Sequence, residues 1–133
     1  MNLILAPGIL EQVITHAKNA YPNEACGLLV GHTSVDRFIP TKNITPNPRQ
    51  YEIDPAELIA ALRSLRETGE NLLAIFHSHP HGPGELSKTD IERAYYPEAA
   101  QLIVSLAELE RPQIVAFRII GGEAVPIEVH AIV

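Results

Sequence analysis

The residues best placed to do chemistry are two histidines, His77 and His79, which end an apolar run at 72–76. Such a run predicts a strand, on which every second side chain points to the same face. Both imidazoles should therefore face one side. Asp90 follows after a turn-rich loop and can supply a third ligand from another element. Two imidazoles and one carboxylate would leave the fourth tetrahedral position to water, which is the pattern of a catalytic zinc site.

Hydrolysis at such a site also needs a group that moves a proton. Zinc held by two neutral imidazoles and one carboxylate stays net positive and brings its bound water to a pKa of about 7. A second carboxylate can then take the water's proton and pass it to the leaving amine. Glu24, directly ahead of the predicted strand that starts at Ala25, is the candidate. A lone glutamate is more commonly a surface residue, and Glu24 could also be a fourth ligand that closes a structural site.

The other candidates also have simpler interpretations. A pair of histidines at a strand end can be purely structural. The S-x-x-D spacing of Ser87 and Asp90 is also that of a capping box, in which the serine caps a helix and the aspartate reaches back to it. Capping and catalysis would then compete for the same atoms. Cys26 is expected to be a small buried apolar residue rather than a nucleophile, because it lies in an apolar strand.

Five positions together form one motif. The pattern HxHx7Sx2D and an upstream glutamate are filled by His77, His79, Ser87, Asp90 and Glu24. This closely resembles the JAMM (MPN+) metalloprotease family, and the resemblance covers essentially the whole chain. It implies one zinc ion per chain bound by both histidines and Asp90, with Glu24 as general acid/base. Ser87 would stabilise the tetrahedral oxyanion.

The resemblance also implies a class of substrate. The chain is too short for the insertions with which eukaryotic members grip ubiquitin, so it is more similar to the compact prokaryotic members. Some of those cleave after the Gly-Gly terminus of small ubiquitin-like sulfur carriers, including carrier-cysteine adducts. We therefore expect a zinc-dependent peptidase or isopeptidase whose partner is a small ubiquitin-like or sulfur-carrier protein. The alternative is a non-catalytic MPN-type scaffold or protein-binding module.

Length, net charge and cysteine content predict the number of domains, the cellular compartment and the classes of partner. The length of 133 residues predicts a single domain, 1–133. A formal net charge of -6 argues against nucleic acid, since phosphate contacts need clustered Lys and Arg. One cysteine cannot form an internal disulfide, which predicts a reducing, cytoplasmic location. No segment resembles a signal peptide or approaches the roughly 18 apolar residues that span a bilayer, so we expect no membrane partner. The oligomeric state is left open.

Periodicity and turn residues predict helices interleaved with strands. Strands are expected at 2–5, 25–30, 35–39, 51–53, 72–79, 100–105, 113–120 and 124–129. Helices are expected at 7–20, at 55–68 after an Asp54 cap, and at 88–94 after a Ser87 cap. Segment 81–85, rich in Gly and Pro, predicts a loop over a cleft. The fold class is α+β, a curved mixed sheet flanked by helices, consistent with the JAMM/MPN-like (cytidine-deaminase-like) fold that the resemblance implies.

Overall fold

The structure is a computed structural model that describes residues 2–133; Met1, the first residue of the predicted domain, lies outside this range. Within it, helices and strands interleave as predicted. In chain order they are β1 (Asn2–Leu5), α1 (Ile9–Ala20), β2 (Cys26–Gly31), β3 (Arg37–Thr41), α2 (Pro55–Thr68), β4 (Asn71–His79), α3 (Lys88–Glu92), β5 (Ala100–Ser105), β6 (Gln113–Ile120) and β7 (Glu123–Ala131).

The strands form one mixed sheet that curls. Its order is β1-β7-β6-β5-β4-β2-β3. The β1–β7 and β4–β5 pairs are parallel, and the other neighbours are antiparallel. Val35, just before β3, donates its N–H to the Ile4 carbonyl and accepts from the N–H of Ala6, both at 2.8 Å. The two ends of the sheet therefore approach each other, which confirms the predicted curved mixed sheet.

The sheet carries an apolar core on each face. Ala74 and Phe76 pack into one core with the buried side chains of α1, and Ile75 packs into the other with those of α2. This alternation follows from the two-residue period of a strand. Every residue of β5 is buried, as expected for a central strand covered on both faces. The two helices consequently hold the middle of the sheet, including β4, from opposite sides.

Local signals set most of the helix ends. The Asp54 carboxylate accepts from the N–H of Ala56 at 2.9 Å, and Gly69 ends α2 at a φ of 76°, where glycine has no steric penalty. Both ends match the prediction. The start predicted for the first helix was wrong, because Gly8 at a φ of 86° occupies the N-cap position and α1 begins at Ile9. Pro7 therefore lies before the helix.

Two further element predictions need correction. The strand expected at 51–53 is absent from the described residues as an element, and only an isolated bridge joins Ile53 to Asn43. The third helix is shorter than predicted, because Arg93 already occupies its C-cap. Across residues 2–133, no helix combines the length and the apolar character needed to cross a membrane.

Candidate metal centre and active site

The two histidines of β4 converge with one carboxylate. His77 and His79 lie on the same face of the strand, and their Nε2 atoms are 3.1 Å apart. The Oδ2 atom of Asp90 lies 3.2 Å from each of these nitrogens. Three potential ligand atoms from two separate elements therefore form a nearly equilateral triangle.

The start of α3 holds Asp90 in this position. The Ser87 hydroxyl oxygen accepts from the Asp90 N–H at 3.0 Å, and the Ser87 N–H donates to Asp90 Oδ2 at 2.9 Å. This is the capping box that the S-x-x-D spacing predicts. The same Oδ2 atom faces both imidazoles, so capping and the cluster share an atom instead of competing for it. The cap orients the carboxylate toward the histidines.

Burial and mutual contact shift the pKa values of these groups in different directions. Burial lowers the pKa of His77, which is fully inaccessible, in spite of the nearby Asp90 carboxylate. Burial alone would raise the pKa of Asp90, but the two imidazoles outweigh burial and hold it well below its usual range. Burial would lower the pKa of His79, yet hydrogen bonds to Asp90 and the Pro83 carbonyl raise it. Asp90 therefore carries a negative charge in a largely dry environment.

Glu24 is held beside this cluster by its backbone. It directly precedes β2, and Cys26 pairs with His77 in the β2–β4 register. The Glu24 N–H donates to the Asn47 carbonyl at 2.9 Å, and its own carbonyl accepts from Asn43 Nδ2 at 3.0 Å. Loop 42–54 thus fixes Glu24 at the end of the strand that pairs with the histidine-bearing strand.

The Glu24 carboxyl group is buried, and one of its oxygens lacks a hydrogen bond within the described residues. Its residue is only 3% exposed, and Oε1 finds no hydrogen-bond partner among the described residues. Burial raises the pKa of Glu24 to about 8, with a smaller opposing effect of His79 and a further increase from the Asp90 charge. One ligand atom each of Glu24, His77 and His79 lies within 4.8 Å of the others. These three residues are positioned to bind a metal ion.

An open cleft of about 530 Å³ gives access to the cluster from one side. Glu24, His79 and Ser87 all line it, together with Arg49 and the loop that follows β4. That loop is anchored, because the Gly82 carbonyl accepts from the Ser105 hydroxyl at 2.6 Å and the Pro83 carbonyl lies 2.9 Å from His79 Nδ1. The predicted loop thus forms one wall of a cleft.

One neighbour of the cluster was missed from the sequence. The Tyr51 ring stacks on the His77 imidazole, with centroids 4.7 Å apart and planes inclined by 19°. Tyr51 also lines a second cavity, of about 420 Å³, which Asp90 and Arg93 border. In the sequence Tyr51 is only an aromatic residue in a largely polar segment, which does not predict its contact with His77.

Cys26 is buried as expected, and burial raises the pKa of its thiol to about 11.

Comparison with known proteins places most of the chain in one family model. The model described as prokaryotic homologs of the JAB domain matches residues 7–120. A CysO-cysteine peptidase of Mycobacterium tuberculosis is 30% identical over 90% of this chain and 84% of its own length. A probable TtuB-protein conjugate cleaving protease of Thermus thermophilus is 42% identical over 69% of this chain and 63% of its own length. A desampylase of Haloferax volcanii is 33% identical over 77% of this chain and 80% of its own length.

Solved structures give the same picture of the fold. A protein from Desulfitobacterium hafniense has a TM-score of 0.87 and 34% identity, covering 98% of this chain and 93% of its own. A JAB1/MPN domain protein from Archaeoglobus fulgidus has a TM-score of 0.66, covering 98% of this chain and 97% of its own. At 18% identity the second likeness concerns the fold alone.

Proposed function

Since this chain belongs to the prokaryotic JAB-domain (JAMM/MPN) family, and since relatives of it are named as a peptidase, a protease and a desampylase, we propose that it is a zinc-dependent peptidase or isopeptidase. Its substrate would be a bond that follows the Gly-Gly tail of a small ubiquitin-like or sulfur-carrier protein. The observation that carries this proposal is the triangle of His77 Nε2, His79 Nε2 and Asp90 Oδ2, with sides of 3.1, 3.2 and 3.2 Å. The buried carboxyl group of Glu24 lies beside this triangle.

The donor set suits one zinc ion per chain. Ligand atoms about 2.0–2.1 Å from zinc lie about 3.3 Å from one another at the corners of a tetrahedron, close to the sides of the observed triangle. Asp90 is a better third ligand than Glu24, because it contacts both imidazoles, whereas Glu24 has no hydrogen bond to either among the described residues. When bound, zinc would acidify a water molecule and polarise the scissile carbonyl.

Glu24 would serve as the general acid/base. It lines the same cleft as His79 and Ser87, and its Oε1 atom is free of other hydrogen bonds within residues 2–133. A carboxyl group with a pKa raised toward neutrality can both accept and donate a proton. Glu24 would take the proton of the attacking water and give it to the leaving amine.

Ser87 would contact the oxyanion. In the capping box its oxygen is an acceptor, so the hydroxyl proton remains available for another partner. The side chain borders the cleft beside Glu24. A hydroxyl donor aimed at the developing negative charge would stabilise the tetrahedral intermediate more than the substrate.

The names of the relatives support the substrate class. They describe cleavage of CysO-cysteine, of TtuB-protein conjugates and, in the third case, desampylation. An extended Gly-Gly tail would suit the cleft of this chain, because glycine carries no side chain that would clash with the walls. We also propose a cytoplasmic location, in keeping with a single cysteine that is buried and free, because stabilising disulfides are typical of oxidising compartments.

Product analysis by mass spectrometry tests the proposal directly. The zinc-loaded protein is incubated with a carrier that ends in Gly-Gly and is fused to a reporter peptide. We expect cleavage after the second glycine, and a loss of turnover of at least about 100-fold in Glu24→Gln and in His77→Ala. The matched control is Glu67→Gln on the exposed side of α2, which should leave turnover unchanged. Wild-type turnover in Glu24→Gln, or cleavage elsewhere, would contradict the mechanism.

A further inference from the structure

The two histidines of the proposed metal site are held by different kinds of contact. His79 Nδ1 lies 2.9 Å from the Pro83 carbonyl, so its second ring nitrogen has the partner that metal-binding histidines usually have. His77 Nδ1 is buried and has no hydrogen-bond partner among residues 2–133. A polar contact on that side of the ring therefore cannot set the orientation of the His77 imidazole.

The Tyr51 ring provides the missing constraint. It lies nearly parallel to the His77 ring, at 4.7 Å and 19°. The next nearest ring to His77 is that of His79, at 4.9 Å, but it is tilted by 55°. A flat neighbour restricts rotation of the imidazole about its Cβ–Cγ bond, because any turn brings the ring edge into the neighbour. Stacked aromatic pairs are stabilised beyond the apolar area that they bury.

The position of Tyr51 is itself fixed by the loop that holds Glu24. The Glu52 N–H donates to Asn43 Oδ1 at 3.0 Å, and the Glu52 carbonyl accepts from the N–H of Ile44 at 2.9 Å. The amide nitrogen of the same Asn43 holds the Glu24 carbonyl. The Asn43 side chain is therefore hydrogen-bonded both to the backbone of Glu24 and to the backbone next to Tyr51.

From these contacts we infer that Tyr51 is a positioning residue for the metal site, whose ring, rather than its hydroxyl, holds the His77 imidazole in the ligating orientation. This inference rests on the proposed zinc site. It assigns Tyr51 no contact with the substrate. Loss of the ring should weaken zinc binding by about 10-fold or more, the range found when other supports of a ligating histidine are removed.

The test compares zinc dissociation constants, measured by competition with a chromophoric chelator. Tyr51→Phe keeps the ring and should stay within about twofold of wild type. Tyr51→Leu and Tyr51→Met keep an apolar side chain without a flat ring and should bind zinc about 10-fold more weakly or worse. The control is Tyr96→Leu, since Tyr96 is also half-buried and lines the same cavity but does not stack on an imidazole in the described structure. It should bind zinc as wild type does.

A second measurement separates positioning from a general loss of stability. Cobalt(II) replaces zinc, and its visible absorption reports the geometry of the ligands. Tyr51→Phe and Tyr96→Leu should keep the wild-type spectrum, and the aliphatic variants at 51 should change it.

The inference is overturned if Tyr51→Phe weakens zinc binding as much as Tyr51→Leu, or if Tyr51→Leu and Tyr96→Leu weaken it equally. It also fails if neither aliphatic variant folds, since Tyr51 would then be a core residue first. If the wild type binds no zinc, the proposed function fails as well. If the wild type binds zinc and cleaves its substrate while Tyr51→Leu does the same, only this inference is lost.

Discussion

The buried hydroxyl of Ser78 accepts a hydrogen bond from the backbone N–H of Ala25 at 2.8 Å. The Ser78 N–H donates in turn to the Ala25 carbonyl at 3.0 Å. Ser78 separates the two histidines in the chain and, as the intervening residue of a strand, points to the opposite face. It therefore fastens the residue that follows Glu24 to the strand that carries His77 and His79. This pair therefore sets the position of the proposed general base, Glu24, relative to the proposed metal ligands, His77 and His79.

Replacing Ser78 by Ala should consequently affect both stability and turnover. The variant leaves the buried Ala25 N–H without an acceptor, which destabilises a protein by about 1–3 kcal/mol. Glu24 should also lose alignment, so kcat should fall while zinc affinity changes little. Urea unfolding and steady-state kinetics measure the two effects. The control is Ser64→Ala on α2, where the described residues offer the hydroxyl no hydrogen bond. Equal effects of both substitutions would contradict the role of Ser78.

The raised pKa of Glu24 predicts a pH dependence of stability in the metal-free protein. Burial moves this pKa from 4.5 to about 8, so the folded state binds the proton more tightly than the unfolded state does. The contribution of protonated Glu24 to the free energy of unfolding is therefore complete below about pH 4.5 and is lost as the pH rises through about 8. Glu24→Gln removes this dependence, because its amide stays neutral.

We therefore expect Glu24→Gln to become more stable relative to wild type as the pH rises from 5 to 8. Thermal unfolding of both metal-free proteins across this range measures the difference. Glu67→Gln, on the exposed face of α2, should follow wild type throughout. A stability difference between wild type and Glu24→Gln that stays constant with pH would show that Glu24 titrates normally.

The helix cap observed at Asp90 and the role of zinc ligand proposed for it can be separated by Asp90→Asn. Asparagine keeps an oxygen that can accept from the Ser87 N–H, so the capping box should persist, but it lacks the negative charge. Zinc affinity should therefore fall by more than the roughly 10–100-fold found for residues that only support a ligand. In the absence of zinc the variant should also be less stable than wild type, because the imidazoles that lower the pKa of Asp90 stabilise its charged form in the folded state. Ser87→Ala is the complementary variant, since it removes the cap and is expected to destabilise the protein by about 0.5–2 kcal/mol. If Ser87→Ala lowers zinc affinity as much as Asp90→Asn, Asp90 is mainly a cap.

Removal of zinc should abolish turnover but leave the protein folded. The two apolar cores lie on the faces of the sheet and contain none of the proposed ligands, so they do not depend on the metal. Zinc at about 100 times its dissociation constant should raise the free energy of unfolding by about 2.7 kcal/mol. Unfolding titrations with a chelator and with added zinc measure this shift. His77→Ala should show no zinc-dependent shift, and an unfolded metal-free wild type would contradict the prediction.

Local spacing in the sequence was enough to predict the shared strand face of the two histidines, the capping box and both ends of α2. A two-residue period is enough to put His77 and His79 on one face of a strand, and the S-x-x-D spacing is enough to predict the capping box. Asp54, Pro55 and Gly69 likewise set both ends of α2, because their preferences act within one turn of backbone. The five-residue motif also led to the family, which the comparisons confirm.

Only the tertiary structure decided what surrounds those residues. The raised pKa of Glu24 depends on burial by segments far away in the chain, and a lone glutamate in sequence carries no sign of it. Tyr51 reaches His77 across 26 positions through a loop without regular periodicity, so no local pattern could predict the stacking. Capping and clustering of Asp90 looked like competing uses of one carboxylate in sequence. They proved compatible because the helix start directs a single oxygen at the Ser87 N–H and at both imidazoles, an arrangement that only packing between distant elements creates.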